Sequence, residues 1–454
     1  MRIPPTDSSL LQFLKKALRV HHHFISGGLS RADSPIYVIG NPSADLDSIV
    51  SALVYSYFAN NRVPRDYPRP HVPLINLDNV ASGPELRRLR PEFIKALHLS
   101  NCAGETSDSS WLGEHFLTVS DFITQLKREA KDCIQADSVL VDWNALPVRS
   151  SNDRSGKGSL PGLPVDFTVV GCIDHHADEA FLPPIAESQP STVKPAGSCT
   201  SLIVAELQRL GLWQKSDTAS ASEEQCARLA LSSILEDTTN LTSKDKVTSL
   251  DTLAYGFLLP KATATDASWS ADKFYDEIHK TKQNSLELLT VDEILGRDYK
   301  QWAEKTTREA DDSPLQIGIC SMVKSISWVT RKAGNAQSFF DSLKSFAGER
   351  NLDVVAVMTA FSSAKENRFS RELLVCGLND RGVDSLKAFV SDSSEKLGLE
   401  DWHSLDGDDH SQDIKDTLGA PKENGPWTQL WVQTDLSKSR KQVAPLIRGA
   451  ASSL

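Results

Sequence analysis

The sequence predicts an α/β protein. A mainly parallel sheet covered by helices forms in the first half of the chain, and a smaller α/β domain follows. Three observations predict it. At 454 residues the chain is longer than one ordinary hydrophobic core accommodates, so two domains are expected. Four short apolar runs in the first half alternate with segments of helical period, the pattern of strand–helix–strand units. After about Thr242 the texture changes, and beyond it a second set of apolar runs begins.

The first-half elements follow in order. "SSLLQFLKKALRVHHHF" places Leu10, Leu11, Leu14 and Leu18 on a helical period and reads as a surface helix packed on the domain. His21, His22 and His23 are expected at the surface, because three neighbours on a short segment do not converge easily on one ion. "PIYVIGNPSADLDSIVSALVYSYF" reads as a strand, Ile36 to Ile39, a polar loop, and a helix from about Asp47. "HVPLINL" is a second strand, Val72 to Leu77, and "DSVLVDWN" a third that ends at Asp142. "SDFITQLKREA" is a helix between them. In "DFTVVGCIDHH" the apolar Val169, Val170 and Ile173 read as a strand buried on both faces. Asp174, His175 and His176 then stand where that strand leaves the sheet.

Pro147 to Asp166, rich in Gly, Ser and Pro, is expected to be a flexible surface insertion. "GSCTSLIVAELQRLGL" is a helix opened by a small-residue loop and closed near Gly211. "SEEQCARLALSSILEDTTNL" starts with an acidic turn and carries its apolar face down to Asp237. Mixed helix and loop then runs to about Ser270. The strands of the second domain are "LQIGICSMVKSI", "LDVVAVMTAFSS", "RELLVCGL" and "QLWVQTDL", with helices such as "LKAFVSDSSEKLGLE" between them.

Composition narrows the function classes. Hydrophobic content of 40% and charged content of 24% are those of a soluble globular protein. A net charge of −11 argues against general nucleic-acid binding but leaves room for a polyanion held by a local basic cluster. Seven scattered cysteines without a CxxC pair fit neither a disulfide framework nor a zinc ribbon, so a reducing compartment is expected. No apolar run approaches the ~18 residues of a membrane span, and no membrane partner is expected. Cytoplasm is the expected location, with the basic N-terminal helix leaving a mitochondrial presequence as the alternative.

The chemistry-bearing residues fall at corresponding places. Asp45 and Asp47 follow the first strand, Asp142 ends the third, Asp174, His175 and His176 end the fourth, and Asp237 closes a helix. All are expected at one edge of one sheet, where ligands bind in open α/β folds. Singly, each aspartate reads as a helix cap, Asp47 above all. Together their charges repel, and divalent cations relieve that repulsion. Oxygen-rich ligation with an imidazole suits Mn²⁺ or Mg²⁺ better than structural Zn²⁺. Two such ions clamp the attacking and leaving oxygens of an in-line displacement, which points to phosphoester or phosphoanhydride hydrolysis.

"NPSADLDS", "VDWN", "DHH" and "SSILEDTTN" occur in the order found in the DHH phosphoesterase superfamily, which residues 35–242 resemble. The resemblance implies two divalent ions, Mn²⁺ or Mg²⁺ with Co²⁺ a further candidate. Asp45, Asp142 and Asp237 would surround one, and Asp47, Asp142 and His175 the other. His176 would contact the scissile phosphate as general acid, and Asp174 would orient a histidine.

"KSRKQVAPLIR" resembles the end of the C-terminal DHHA2 domain shared by manganese pyrophosphatases, exopolyphosphatases and prune-like proteins, while the Gly-Gly-Gly-His signature of nucleotide-cleaving members is missing. The implied substrate-binding residues are Arg440 and Lys441, with Lys300, Lys324 and Arg371 as further phosphate contacts, Arg368 beside them, and Asn41 at the first motif. The implied boundaries are a DHH domain over 1–245, a linker over 246–275 and a DHHA2 domain over 276–454, with the active site in the cleft between domains. Asn41 stands where pyrophosphatases carry a metal-binding histidine, as in exopolyphosphatases and prune-like proteins. The expected activity is therefore an exopolyphosphatase of the cytosolic fungal type, a monomer acting on linear polyphosphate by two-metal, in-line water attack. The alternatives are a prune-like hydrolase of short polyphosphates or cyclic nucleotides, a manganese-dependent pyrophosphatase, and a scaffold on a decayed hydrolase fold.

Overall fold

The computed structural model describes residues 9–30, 32–60, 69–104, 108–149, 154–214, 219–306, 313–363, 368–406, 411–419 and 427–453. The chain divides into two compact units, Met1–Ser285 and Leu286–Leu454.

The first unit opens with α1 (Leu10–Ile25), whose buried Leu10, Leu14, Leu18, His21 and Ile25 recur at helical spacing. Then come β1 (Ile36–Ile39), α2 (Leu46–Ala59), β2 (His71–Leu74), α3 (Pro84–Leu89), α4 (Pro91–Leu99) and α5 (Val119–Arg128). The next strands are β3 (Ile134–Val141), β4 (Lys157–Gly158), β5 (Val165–Asp174) and β6 (Ser191–Val193). Helices α6 (Cys199–Arg209), α7 (Ala221–Asp237), α8 (Ser249–Ala262) and α9 (Ala271–Gln283) complete it. The sheet order is β2-β1-β3-β5-β4, with β6 also on β5; only β4 runs antiparallel. The chain therefore reverses its direction of winding between β1 and β3, and the carboxyl ends of these two strands and of β5 lie side by side. Every residue of α2 is buried, its Asp47, Ser48, Ser51 and Ser56 included. Residues 246–275, expected as a linker, fold largely into α8 and the start of α9 within the first unit.

Three expectations are corrected here. His21 is fully buried, its Nδ1 2.8 Å from the Tyr37 hydroxyl and its Nε2 2.7 Å from Gln125 Oε1. The segment Pro147–Asp166 is not simply a surface insertion: Lys157 and Gly158 form β4 on the edge of the sheet, and Leu160 and Leu163 enter the core. Its residues 150–153 lie outside the described residues. The second strand is also shorter than expected, β2 giving way to a single bridge from Ile75 to Thr118.

The second unit contains α10 (Val291–Arg297), β7 (Tyr299–Glu304), β8 (Leu315–Met322), α11 (Ile326–Ala333), α12 (Ala336–Glu349) and β9 (Val354–Thr359). A small hairpin, β10 (Phe361–Ser362) with β11 (Phe369–Ser370), precedes β12 (Glu372–Gly377), α13 (Asp380–Leu397), β13 (Leu399–Asp401), α14 (Ser411–Leu418), β14 (Trp427–Gln433) and α15 (Arg440–Ser452). Its sheet is mixed, in the order β13-β14-β12-β9-β8-β7, with only β8 and β9 parallel. Among the described residues no helix is long and apolar enough to cross a membrane.

Candidate metal centre

Asp142 is the first residue beyond β3 and sits in the left-handed region at φ +63°, a conformation that costs a non-glycine residue energy and is held by its surroundings. Its amide donates to the Ile173 carbonyl (3.0 Å), which continues the β3–β5 pairing and turns the carboxylate toward the end of β5. One oxygen, Oδ2, accepts from Ser48 Oγ (2.6 Å) and Asn41 Nδ2 (2.7 Å). The other, Oδ1, faces His175 Nε2 at 3.1 Å and His176 Nδ1 at 3.7 Å. Asp142, His175 and His176 thus bring ligand atoms within 4.8 Å of one another.

Asp174 is fully buried at the end of β5. Its Oδ1 accepts from the His175 amide (2.8 Å), the His176 amide (3.2 Å) and His176 Nδ1 (2.8 Å). A carboxylate only accepts, so His176 Nδ1 carries the proton and Nε2 is left for other chemistry. Asn144 donates to Asp174 Oδ2 and to the Ala177 carbonyl, which ties down the loop after the two histidines.

Asp45, not Asp47, caps α2: its carboxylate accepts from the Ser48 amide at 3.0 Å. Asp47 is buried and turns to the start of α6. Its oxygens accept from the amides of Cys199 (2.6 Å) and Thr200 (2.9 Å) and from the hydroxyls of Ser198 (2.7 Å), Thr200 (2.8 Å) and Ser233 (2.6 Å). Its Oδ2 is 4.0 Å from His175 Nε2. Burial alone would raise the Asp47 carboxyl, but the His175 charge and these hydroxyls overcome it and hold the group well below the usual carboxylate range.

Asp237, partly buried at the end of α7, behaves oppositely. Burial and the charges of Asp47 and Asp45 push its carboxyl well above the usual range, against the pull of Lys282 and Lys246. Glu236 beside it, 3.1 Å from Lys282 Nζ, is held down at about 2 despite its burial by that lysine and by His279. An Asp237 carboxyl pushed up by burial and by the charges of Asp47 and Asp45, together with an imidazole nitrogen and a carboxylate 3.1 Å apart, fits divalent cations. Asp47, Asp142 and His175 would hold one ion, and Asp45, Asp142 and Asp237 another.

Several supporting residues carry no motif of their own. Ser48, Ser198, Thr200 and Ser233 direct the acids; the first three are small hydroxyl residues at or near helix starts, and Ser233 lies late in α7. Arg90 is almost fully buried and donates Nε to the Ala44 carbonyl (2.7 Å) and another nitrogen to Ser43, clamping the loop that carries Asp45.

In the second unit Arg440, the first residue of α15, meets the carbonyl of Asp298 (2.9 Å) and its carboxylate (2.7 Å), with Ser321 Oγ at 3.3 Å. Lys300 lies two residues on from Asp298, at the start of β7, and Lys441 is exposed. Arg371 donates Nε to the Leu436 carbonyl (2.9 Å), bracing the loop that leads into α15. Lys324 is 3.7 Å from Glu287 and 5.6 Å from the Trp328 ring.

Residues 35–234 match the model of the DHH family, N-terminal domain, and residues 276–450 match the DHHA2 domain. The chain therefore carries a DHH-family domain followed by a DHHA2 domain, and these matches support a hydrolase. It is 29% identical over 422 residues to a Schizosaccharomyces pombe protein named "Putative exopolyphosphatase", covering 92% of this chain and 91% of that one. Its fold is similar to that of a Methanococcus jannaschii crystal structure described as a "putative family II inorganic pyrophosphatase". The TM-score is 0.51 at 18% identity, over 91% of this chain and 99% of that one.

Proposed function

We propose that the protein is an exopolyphosphatase, releasing the terminal phosphate of linear inorganic polyphosphate. The observation that carries the choice is Asn41. At the position where pyrophosphatases carry a histidine, its amide donates to Asp142 Oδ2 at 2.7 Å and serves that carboxylate as a hydrogen-bond donor. The similarity to the S. pombe protein along nearly the whole chain supports the same reading.

Divalent ions held by Asp45, Asp47, Asp142, His175 and Asp237 would supply Lewis acidity and an activated water nucleophile. The chain's own residues do the rest. His176, its Nδ1 proton fixed on Asp174, presents Nε2 to the scissile phosphate; as an imidazolium supported by the Asp174 carboxylate it gives the Nε2 proton to the leaving oxygen and returns to the neutral ring. Arg440 and Lys441, with Lys300, Lys324 and Arg371, bind phosphates of the departing chain, Arg440 through a planar fork already oriented by Asp298.

The test is phosphate release from long polyphosphate, tripolyphosphate, pyrophosphate and a cyclic nucleotide, each with Mg²⁺ and with Mn²⁺, beside Asp142→Ala and His176→Ala. Release from polyphosphate that spares pyrophosphate, lost in both variants, is the expected result. Pyrophosphate or the cyclic nucleotide as best substrate would overturn the substrate while keeping the site. No metal-dependent release from any of them would overturn the enzyme.

A further inference from the structure

The start of α6 is shared between two buried acids. Asp47 takes the amides of Cys199 and Thr200. One step earlier in the chain, the amides of Gly197 (3.0 Å) and Ser198 (3.2 Å) donate to the carboxylate of Asp251. Asp251 is fully buried in the first turn of α8, and the amide (2.7 Å) and hydroxyl (2.8 Å) of Thr248 complete its shell. Four consecutive amides, 197 to 200, thus point in pairs at two carboxylates.

We infer that Asp251 is a positioning residue for the metal centre: it fixes the backbone of Gly197 and Ser198 so that α6 aims its first amides and the Ser198 hydroxyl at Asp47. The inference rests on the metal reading above. No metal is touched by Asp251 itself. The Ser198 amide bound to Asp251 and the Ser198 hydroxyl bound to Asp47 belong to one residue, so a shift at Asp251 reaches Asp47 through a single side chain. Gly197 is part of the device. A Cβ there would lie 2.7 Å from Thr238 Cγ2 and 2.8 Å from Asp251 Oδ2, so any side chain would push the two partners apart.

Asp251→Asn keeps the size of the side chain but turns an amide nitrogen toward donors. Residues that hold a metal ligand from behind typically change metal affinity by ~10–100-fold when altered. Mn²⁺ binding to the chelator-treated full chain, measured by calorimetry, reads the effect, with thermal unfolding recorded alongside. The expected result is Mn²⁺ affinity lowered by about that factor in Asp251→Asn and again in Gly197→Ala, with no further loss in the double variant. Thr248→Ala, which removes the hydroxyl on the α8 side of the same carboxylate, lowers thermal stability but leaves Mn²⁺ affinity within about twofold. If Asp251→Asn does not fold, Gly197→Ala beside Thr248→Ala answers the same question. Unchanged Mn²⁺ affinity in the folded variants, or an equal loss in Thr248→Ala, overturns the coupling. Wild-type chain that binds no Mn²⁺ overturns the metal reading and this inference with it.

Discussion

Replacing His21 with glutamine tests whether the imidazole on the buried face of α1 must stay neutral for the first unit to fold. Burial is the main force that lowers its pKa from 6.5 to about 3; the Gln125 hydrogen bond opposes this and the neighbouring His22 adds to it. At pH 7.5 the imidazole is neutral folded and unfolded, and it contributes nothing to pH dependence. Below 6.5 the unfolded chain takes up a proton that the folded chain refuses until about pH 3, so stability falls as pH falls through that window. Each pH unit is worth about 1.4 kcal/mol, so 1.5 units, from 6.5 to 5, cost about 2 kcal/mol. Urea unfolding of the chelator-treated protein at pH 7.5 and pH 5 measures it. Other titrations are common to both proteins and cancel in the comparison. The wild type is expected to lose about 2 kcal/mol more than His21→Gln between the two pH values. Parallel losses, or an imidazole at position 21 that titrates near 6.5 by NMR, would refute the reasoning.

In the second unit Glu372 runs the other way. Burial raises its carboxyl to about 7, against hydrogen bonds from the Ile326 amide and Trp402. Its contribution is complete below pH 4.5 and is lost as pH rises through 7, about 3 kcal/mol in all, and Glu372→Gln should abolish that loss in urea unfolding between pH 4.5 and 8. Asp174→Asn keeps an oxygen that accepts from His176 Nδ1 but removes the carboxylate charge that supports a protonated ring and sets an NH2 against Asn144 Nδ2, and kcat should fall by ~10–100-fold with an unchanged circular-dichroism spectrum. Asn41→His restores an imidazole beside Asp142, and calorimetry should show tighter Mn²⁺ binding and a stronger preference for Mn²⁺ over Mg²⁺.

The parallel core is legible in the sequence because strands buried on both faces must be apolar throughout. β1 and the second half of β5, up to its closing Asp174, satisfy this. Edges are less legible. Lys157 and Gly158 look like loop by composition, yet an edge strand needs only one partner, and β5 supplies it through Thr168 and Phe167. His21 is beyond local reading altogether. It lies in a run of three histidines, and its burial is decided by Tyr37 and Gln125, 16 and 104 positions away.

The metal centre divides along the same line. Its acids stand out because a charged group directly after an apolar run is costly unless something meets it. Their hydroxyl partners do not stand out, since serine and threonine at a helix start are ordinary caps. Ser198 shows how the role is acquired. On its own helix it is the N-cap of α6, accepting from the Thr200 amide; only the packing of α2 and α7 against α6 brings Asp47 and Ser233 to its hydroxyl. The charge at the site is thus encoded locally, in residues that follow their strands. Its direction is encoded by tertiary contacts, which is why substitutions at neutral residues such as Gly197 are expected to weaken the metal centre without removing a single ligand.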